Sequence, residues 1–459
     1  MTNQMQKQVG KYRWTICALL FAATTINYLD RQVLSLLQPT LSKEYHWTNT
    51  DYANITAIFQ FVYALALLFA GRIIDRIGTK KGYSWALIIW SLGAMLHALA
   101  IPMGEALVNF FGLLGLTIFP ISVFGFLISR SVLAIGEAGN FPAAIKATAE
   151  YFPKKDRAYA TGIFNSGANI GAVLAPLTVP WIEKHWGWQA AFISIGAMGF
   201  LWLIFWWIYY DKPENQKRLS AEELAYINSD ETHEKALVNP DKAEQKPKWR
   251  TLLGYKQTWA FAIGKFMTDG VWWFFLFWLP AYLDAEYGIS GEAIMIPLAV
   301  LYTMTMFGSI GGGYFPKYFI NKGMSPYDGR MRAMFIIALF PLLVLLAQPL
   351  GHISFWVPVF FIGIGASAHQ AWSANIFTTV SDMFPKKAVG TVTGIGGLAG
   401  GIGGVVISKI GGWIFDAYAK EGHLSTGYTI MFAICAVAYL VAWVCMKALV
   451  PRYKLITDL

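Results

Sequence analysis

Residues 151–182 align without a gap on residues 383–414, an offset of 232 positions in a chain of 459. The shared stretch opens with Phe-Pro-Lys-Lys and closes with Trp-Ile. Twelve of its 32 positions are identical: Phe152/Phe384, Pro153/Pro385, Lys154/Lys386, Lys155/Lys387, Thr161/Thr393, Gly162/Gly394, Ile163/Ile395, Ile170/Ile402, Gly171/Gly403, Val173/Val405, Trp181/Trp413 and Ile182/Ile414. An offset of half the chain means two similar halves, so whatever one half folds into, the other repeats.

The material of the halves is apolar. The chain is 56% hydrophobic and 14% charged, against about a quarter charged in a soluble domain. That excludes a cytosolic enzyme. Mostly apolar spans of roughly 20 residues or more, enough to cross a bilayer as helix, recur twelve times: 13–38, 51–74, 82–101, 118–150, 158–182, 188–210, 257–283, 294–320, 329–349, 354–382, 389–417 and 425–448. The predicted fold is therefore an all-α membrane protein with twelve transmembrane helices in two pseudo-symmetric six-helix bundles. The expected divisions are 1–210, a linker at 211–256, and 257–459. In membrane proteins a repeat of this kind marks transporters, with the substrate site at mid-membrane between the halves. The first span is too long for a cleavable signal peptide, lacks a small-residue cleavage site and is followed by eleven more.

Basic residues orient the chain. Loops on the side of the N-terminus, with the adjoining span edges and both tails, hold 28 of the 36 lysines and arginines; the opposite loops hold three, Lys43, Lys184 and Lys420. By the positive-inside rule both termini and the linker are expected in the cytoplasm. The same asymmetry accounts for the net charge of +9 without a nucleic-acid partner. Cys17, Cys435 and Cys445 all fall in apolar spans, which implies neither disulfides nor a metal site. No CxxC, HExxH or phosphate-cradling GxxxxGK[ST] occurs, so neither a metal nor a cofactor is expected, and energy is expected from gradients.

Three stretches stand apart from the spans. The linker is rich in Lys and Glu and holds a short helical candidate at Ser220-AEELAYINSD, with Ser220 as cap and Glu223 three residues on. Residues 102–117 exceed a tight turn and suit a short interfacial helix or an extension of the fourth helix. The fifth and eleventh spans are rich in glycine, which lets helices approach closely in lipid, whether for packing alone or for gating.

Gly71-RII-Asp75-Arg76-I-Gly78-T-Lys80-Lys81, between spans two and three, resembles the signature of the major facilitator superfamily. In this reading Gly78 makes a tight turn and Asp75 can cap a neighbouring helix. A degenerate copy, Gly313-YFP-Lys317-YFIN-Lys322-Gly323, follows span eight and carries lysine where Asp75 stood. Asn27-Tyr28-Leu29-Asp30-Arg31 and Arg130-SVLAIGE-Ala138 are similar to the anion:cation symporter family, which includes bacterial hexuronate and sugar-acid carriers. Ala368-His369-Gln370-Ala371-Trp372-Ser373, with Gly264-Lys265, resembles its hexuronate branch. Some hexuronate carriers lack an acid at the position of Asp30 whereas sugar-acid and vesicular carriers have one, which leaves the substrate and the proton number open.

Seven ionisable residues lie deep in spans: Asp30, Arg31, Arg130, Glu137, Lys265, Asp269 and His369. Each costs at least ~2.5–3.5 kcal/mol at mid-membrane unless paired or hydrated. The guanidinium of Arg31 is a planar fork suited to a carboxylate, and resemblance and chemistry together make it the expected substrate anchor. Tyr28 lies one turn away, and Tyr63 in span two is a companion. Arg130 and Glu137, seven apart, share a helix face. Glu137 is the leading proton carrier and Asp30 the second, with pairing of Asp30 to Arg130 as the structural alternative. The 232-residue offset sets His369 opposite Glu137, expected as a hydrogen-bonding group. Gln370, Trp372 and Asn375 extend the lining, Trp372 as a surface for a sugar ring, and Asn169 is a further hydroxyl contact. Lys265 and Asp269, at i and i+4, are expected to pair, leaving Lys265 as a second cation for an anion when the pair opens.

These readings converge on a proton-coupled symporter taking up a monovalent sugar acid, a hexuronate such as galacturonate or glucuronate. Its setting would be the cytoplasmic (inner) membrane of a bacterium, and its oligomeric state a monomer. The partners are the anionic substrate, protons and the lipid bilayer. Alternatives are a carrier of another organic anion (an aldonate or aromatic carboxylate) and a non-transporting membrane sensor or enzyme. The lack of an appended soluble domain weighs against the sensor. The lack of a nucleophile or metal constellation weighs against the enzyme.

Overall fold

A computed structural model describes residues 10–112, 120–229 and 248–456. Every regular element among them is helical. Twelve long helical stretches run back and forth: α1 (Tyr12–Tyr45), α2 (Asn49–Ile77), α3 (79–112), α4 (121–151), α5 (Lys154–Trp186), α6 (Trp188–Tyr209), α7 (Lys256–Tyr287), α8 (Met295–Asn321), α9 (326–350), α10 (Trp356–Met383), α11 (Lys386–Lys420) and α12 (Leu424–Leu449). In a bilayer the backbone must satisfy its own hydrogen bonds, which is why the apolar segments take this form. Among the described residues, nine stretches are long and apolar enough to cross a membrane by length and composition alone. The other three, α1, α7 and α10, carry Asp30 and Arg31, Lys265 and Asp269, and His369 with Gln370; polar residues dilute the helices that hold the candidate site.

The sequence repeat is a structural one. Pro153 and Pro385 begin α5 and α11 with nearly the same backbone angles, φ −62°, ψ 155° and φ −63°, ψ 150°. The helices before them end at Tyr151 and Met383, also 232 apart. Gly78, at φ 87°, turns α2 into α3 in a conformation that only glycine adopts freely. Asp75 of the same motif pairs with Lys146 of α4 at 3.1 Å instead of capping a helix. Residues 102–112 extend α3, through a 3₁₀ turn at His97–Leu99, and so form neither an interfacial helix nor part of α4; residues 113–117 lie outside the described residues. α4 is interrupted at 138–139, directly after Glu137.

Residues 220–227 dock on the first bundle. Ser220 caps the short helix Ala221–Ile227 by accepting from the Glu223 amide. The Glu223 carboxylate is buried and accepts from the amides of Tyr12 and Arg13, at 3.1 and 3.0 Å. It therefore caps α1, where a carboxylate complements the helix dipole.

The end of the molecule with Tyr12 and Ile456 is the near end, and the opposite one the far end. The halves meet along α2 and α11, α5 and α8, and α1 and α7. At the far end they are joined by bonds. The Asp416 carboxylate accepts from the amides of Asn49 and Thr50 at the start of α2, both at 2.8 Å. The Tyr52 hydroxyl donates to the Phe277 carbonyl at 2.6 Å. Lys43 pairs with Asp284, Lys184 with Glu292, and Lys409 bonds Asn54. Among the described residues, the hydrogen bonds and ion pairs between the halves run from this end only as far as Gln60 and Ser408. Packing agrees: a methyl group at Gly412 would meet Ala53 at 2.4 Å, while one at Gly394, toward the near end, would meet nothing within 4 Å. The far end is closed, and the halves part toward the near end.

Candidate functional site

The buried charges of α1 and α4 form one cluster beneath the closed end. Arg31 Nε and Nη2 both donate to Oε2 of Glu137, at 2.9 and 2.6 Å, and Glu137 Oε1 has no donor. Four rings surround the guanidinium: Tyr28 at 4.9 Å, Tyr63 at 5.0 Å, Trp273 at 5.1 Å and Phe59 at 5.4 Å. Ring faces attract a cation and exclude water from it. Trp273 belongs to α7, so the second half closes the cage.

Arg130 is fully buried against Phe59 and Phe277. Its Nη2 donates to the Arg31 carbonyl at 3.2 Å, and its Nε and Nη1 have no acceptor. The shared helix face of Arg130 and Glu137 does not make them an ion pair; Glu137 turns to Arg31, 106 residues away in sequence. Asp30 is 2% exposed and neither of its carboxylate oxygens has a donor. It lies within electrostatic reach of Glu137 and Arg130, beside Trp90, whose indole N–H also lacks a partner. The cluster thus offers two cations and two carboxyl groups, with one carboxyl oxygen pair unengaged.

On the facing half, Lys265 and Asp269 pair at 2.6 Å, with the ammonium 4.3 Å from the Phe377 ring. A methyl group at Gly400 would meet the Asp269 carboxylate at 2.2 Å, so the absent side chain there makes room for the pair. His369 Nδ1 and the Tyr439 hydroxyl are 2.8 Å apart, and the imidazole stacks on Trp272 at 5.1 Å and 10°. Both tryptophans of the Trp272-Trp273 pair are therefore used, one on His369 and one on Arg31. Gln370 and Asn169 are half-buried on α10 and α5.

Two expected lining residues are placed elsewhere. Trp372 is fully buried, edge-on to Tyr439 at 5.6 Å, and in this conformation shows no face to a ligand. Asn375 spends its amide N–H groups on the carbonyls of Gly312 and Ala371, both at 2.8 Å, and ties α10 to α8. Phe59, Phe277, Trp90 and Tyr439 were not singled out from the sequence. Two of them carry a signal, since Phe59 precedes Tyr63, and Trp273 precedes Phe277, by one helical turn. Among the described residues no group of three or more His, Cys, Asp or Glu side chains is placed to hold a metal ion.

Comparison with known proteins accords with this geometry. The family model of the Major Facilitator Superfamily matches residues 20–408. The chain is similar to the hexuronate transporter of Escherichia coli K12, with 29% identity over 94% of this chain and 92% of that protein. It is also similar to the galacturonate transporter of Dickeya chrysanthemi, with 32% identity over 67% of this chain and 82% of that one. The crystal structure of a bacterial homologue of the human lysosomal transporter Spinster, inward-facing and unoccupied, superposes with a TM-score of 0.72 at 18% identity, over 96% of this chain and 98% of that one. The chain belongs to the major facilitator superfamily and is a membrane transporter, not an enzyme.

Proposed function

We propose that this transporter takes up a monovalent sugar acid, a hexuronate such as galacturonate or glucuronate, together with protons, by alternating access across a bacterial inner membrane. The observation that carries the reading is the Arg31 cage: a buried guanidinium held by a single oxygen of a carboxyl group that a proton can neutralise. A substrate carboxylate arriving at Arg31 displaces Glu137. Stranding an ionised, unpaired Glu137 would cost several kcal/mol, so substrate entry favours protonation of Glu137. Asp30, buried with no donor within hydrogen-bond distance and close to Glu137, carries a charge at a cost that Arg130 and the Trp90 indole offset only in part, and is the second proton position. Arg130 keeps the α1 backbone fixed beside both.

Tyr28, Tyr63, Asn169 and Gln370 would contact the sugar hydroxyls, and Lys265 would become available when its pair with Asp269 opens. His369 contributes from its Trp272 stack if Tyr439 releases it. Because the loops and span edges on the N-terminal side of the sequence carry most of the basic residues, the near end faces the cytoplasm and the closed far end makes this the inward-facing state. The names of the relatives support a sugar acid. A second reading, an open-chain aldonate, is favoured by the burial of Trp372, which removes one expected surface for a sugar ring.

A thermal-shift screen of the purified protein tests the choice, because a ligand of the folded state raises its apparent stability. Galacturonate or glucuronate should raise Tm by several degrees and neutral galactose should not. A shift with gluconate and none with either hexuronate would transfer the assignment to aldonates.

A further inference from the structure

The second copy of the family motif inverts a charge, and the structure shows what surrounds the inversion. In the first half Asp75 is matched by Lys146 at 3.1 Å. In the second half the corresponding residue is Lys317, and no carboxylate is paired with it among the described residues. Lys322 and Arg332, close by at the near end of α8 and α9, are likewise without an acidic partner among the described residues. The nearby acids are committed elsewhere: Asp382 to Arg330 at 2.9 Å, and Asp328 to Ser325 at 2.7 Å and Lys447 at 3.8 Å.

Aromatic groups hold the three cations in place. The Lys317 ammonium lies 4.7 Å from the Tyr314 ring. Lys322 lies 4.4 Å from the Tyr318 ring and donates to the Tyr318 hydroxyl at 2.6 Å. The Arg332 guanidinium lies 5.5 Å from Phe319. Tyr314 and Tyr318 are also a wall of an apolar groove of about 720 Å³ between α8, α9 and α10. Among the described residues the main packing partners of α9 are α8, α10 and α12 of its own half, and Gly311, Tyr314, Tyr318 and Phe340 of the lining are exposed, so the groove is on the outer flank, turned to lipid and away from the transport site. Gly308, Gly311 and Gly312 form its floor: a methyl group at Gly308 or Gly312 would meet Ser367 or Ala371 of α10 at 2.1 or 2.3 Å, so these two bring α8 close to α10, while the space above Gly311 is open. From Gly308 to Tyr318 it runs about 15 Å along α8 at 1.5 Å per residue, the depth of one leaflet of a ~30 Å hydrocarbon core.

We propose that this groove is a binding site for an anionic glycerophospholipid, with an acyl chain along the glycine floor and the phosphate at Lys317, Lys322 and Arg332. Unpaired cations at the membrane surface complement a phosphodiester, and one leaflet's depth of apolar groove complements the chain joined to it. Clusters of basic residues beside membrane helices attract anionic headgroups by the same electrostatics.

Native mass spectrometry of the full-length protein, delipidated and titrated with palmitoyl-oleoyl phosphatidylglycerol or the matching phosphatidylcholine, tests the site. Phosphatidylglycerol should be retained at least tenfold better. Lys317→Gln with Lys322→Gln and Arg332→Gln should abolish the preference, each charge contributing about fivefold. Gly311→Leu, which has open space above it and keeps all three cations, should lower retention of both lipids by filling the floor. Unaltered elution on gel filtration and unaltered sugar-acid uptake establish that the variants fold. No preference in the native protein, or an unchanged preference in the triple variant, overturns the site. Loss in the triple variant with full retention in Gly311→Leu also overturns it, because the lipid is then attracted by surface charge and not seated in the groove.

Discussion

At the scale of single residues, the account rests on Arg31 being shared between Glu137 and a substrate. Arg31→Lys keeps the charge but loses the planar fork, and should weaken binding of galacturonate at least a hundredfold by calorimetry. Unchanged affinity would remove Arg31 from the site. Glu137→Gln keeps an acceptor for Arg31 but cannot gain or lose a proton. It should abolish uptake driven by a pH gradient while leaving substrate counterflow in proteoliposomes within about threefold of native. Gradient-driven uptake at the native rate would assign the coupled proton to Asp30 or to neither. The ionisable residues were legible in the sequence because an apolar span makes a charge conspicuous. The pairing of Lys265 with Asp269 within one helix was legible too; the pairing between helices in the first half was not. Spacing along α4 suggests Arg130 with Glu137, and only the packing of α1 on α4 shows that Glu137 turns to Arg31 and leaves Asp30 bare.

At the scale of elements, α2 and α11 form the far gate, and Asp416 is its most specific bond. A carboxylate on two free amides at a helix start combines charge-assisted hydrogen bonds with the helix dipole; the exposed Lys43–Asp284 pair adds little. Asp416→Ala should shift the population toward a far-open state by about 1–3 kcal/mol, or roughly 5- to 150-fold. Hydrogen exchange should quicken in the α2 peptide around 49–56 and slow in the one around 70–77, because opening one end closes the other. Quickening at both ends, or at the first two amides alone, would contradict a gate. The helices themselves were readable from length and hydropathy. The region 102–112 was misread because a 3₁₀ turn at His97–Leu99 carries α3 on past the point where a length argument stops it. The role of Asp75 was misread because Lys146, its partner, is 71 residues away.

At the scale of the whole molecule, the half-chain repeat made two equivalent bundles legible, since a 232-residue offset survives folding as matched helix starts at Pro153 and Pro385. Which end is shut could not be read this way, because one sequence must serve both the open and the closed state of each gate. Two carboxyl groups in the cluster give room for two protons per monovalent acid, and the net +1 gains ~2.3 kcal/mol per 100 mV, inside negative. On a solid-supported membrane, galacturonate should then evoke an inward positive current; robust uptake without current would leave Asp30 structural and the cycle electroneutral. The coupling itself is tested most directly by the internal pH of proteoliposomes, voltage-clamped with potassium and valinomycin, as galacturonate is added outside. The account predicts that the lumen acidifies as galacturonate enters, with no acidification in Glu137→Gln; entry of galacturonate at the native rate with an unchanged lumen pH would contradict it.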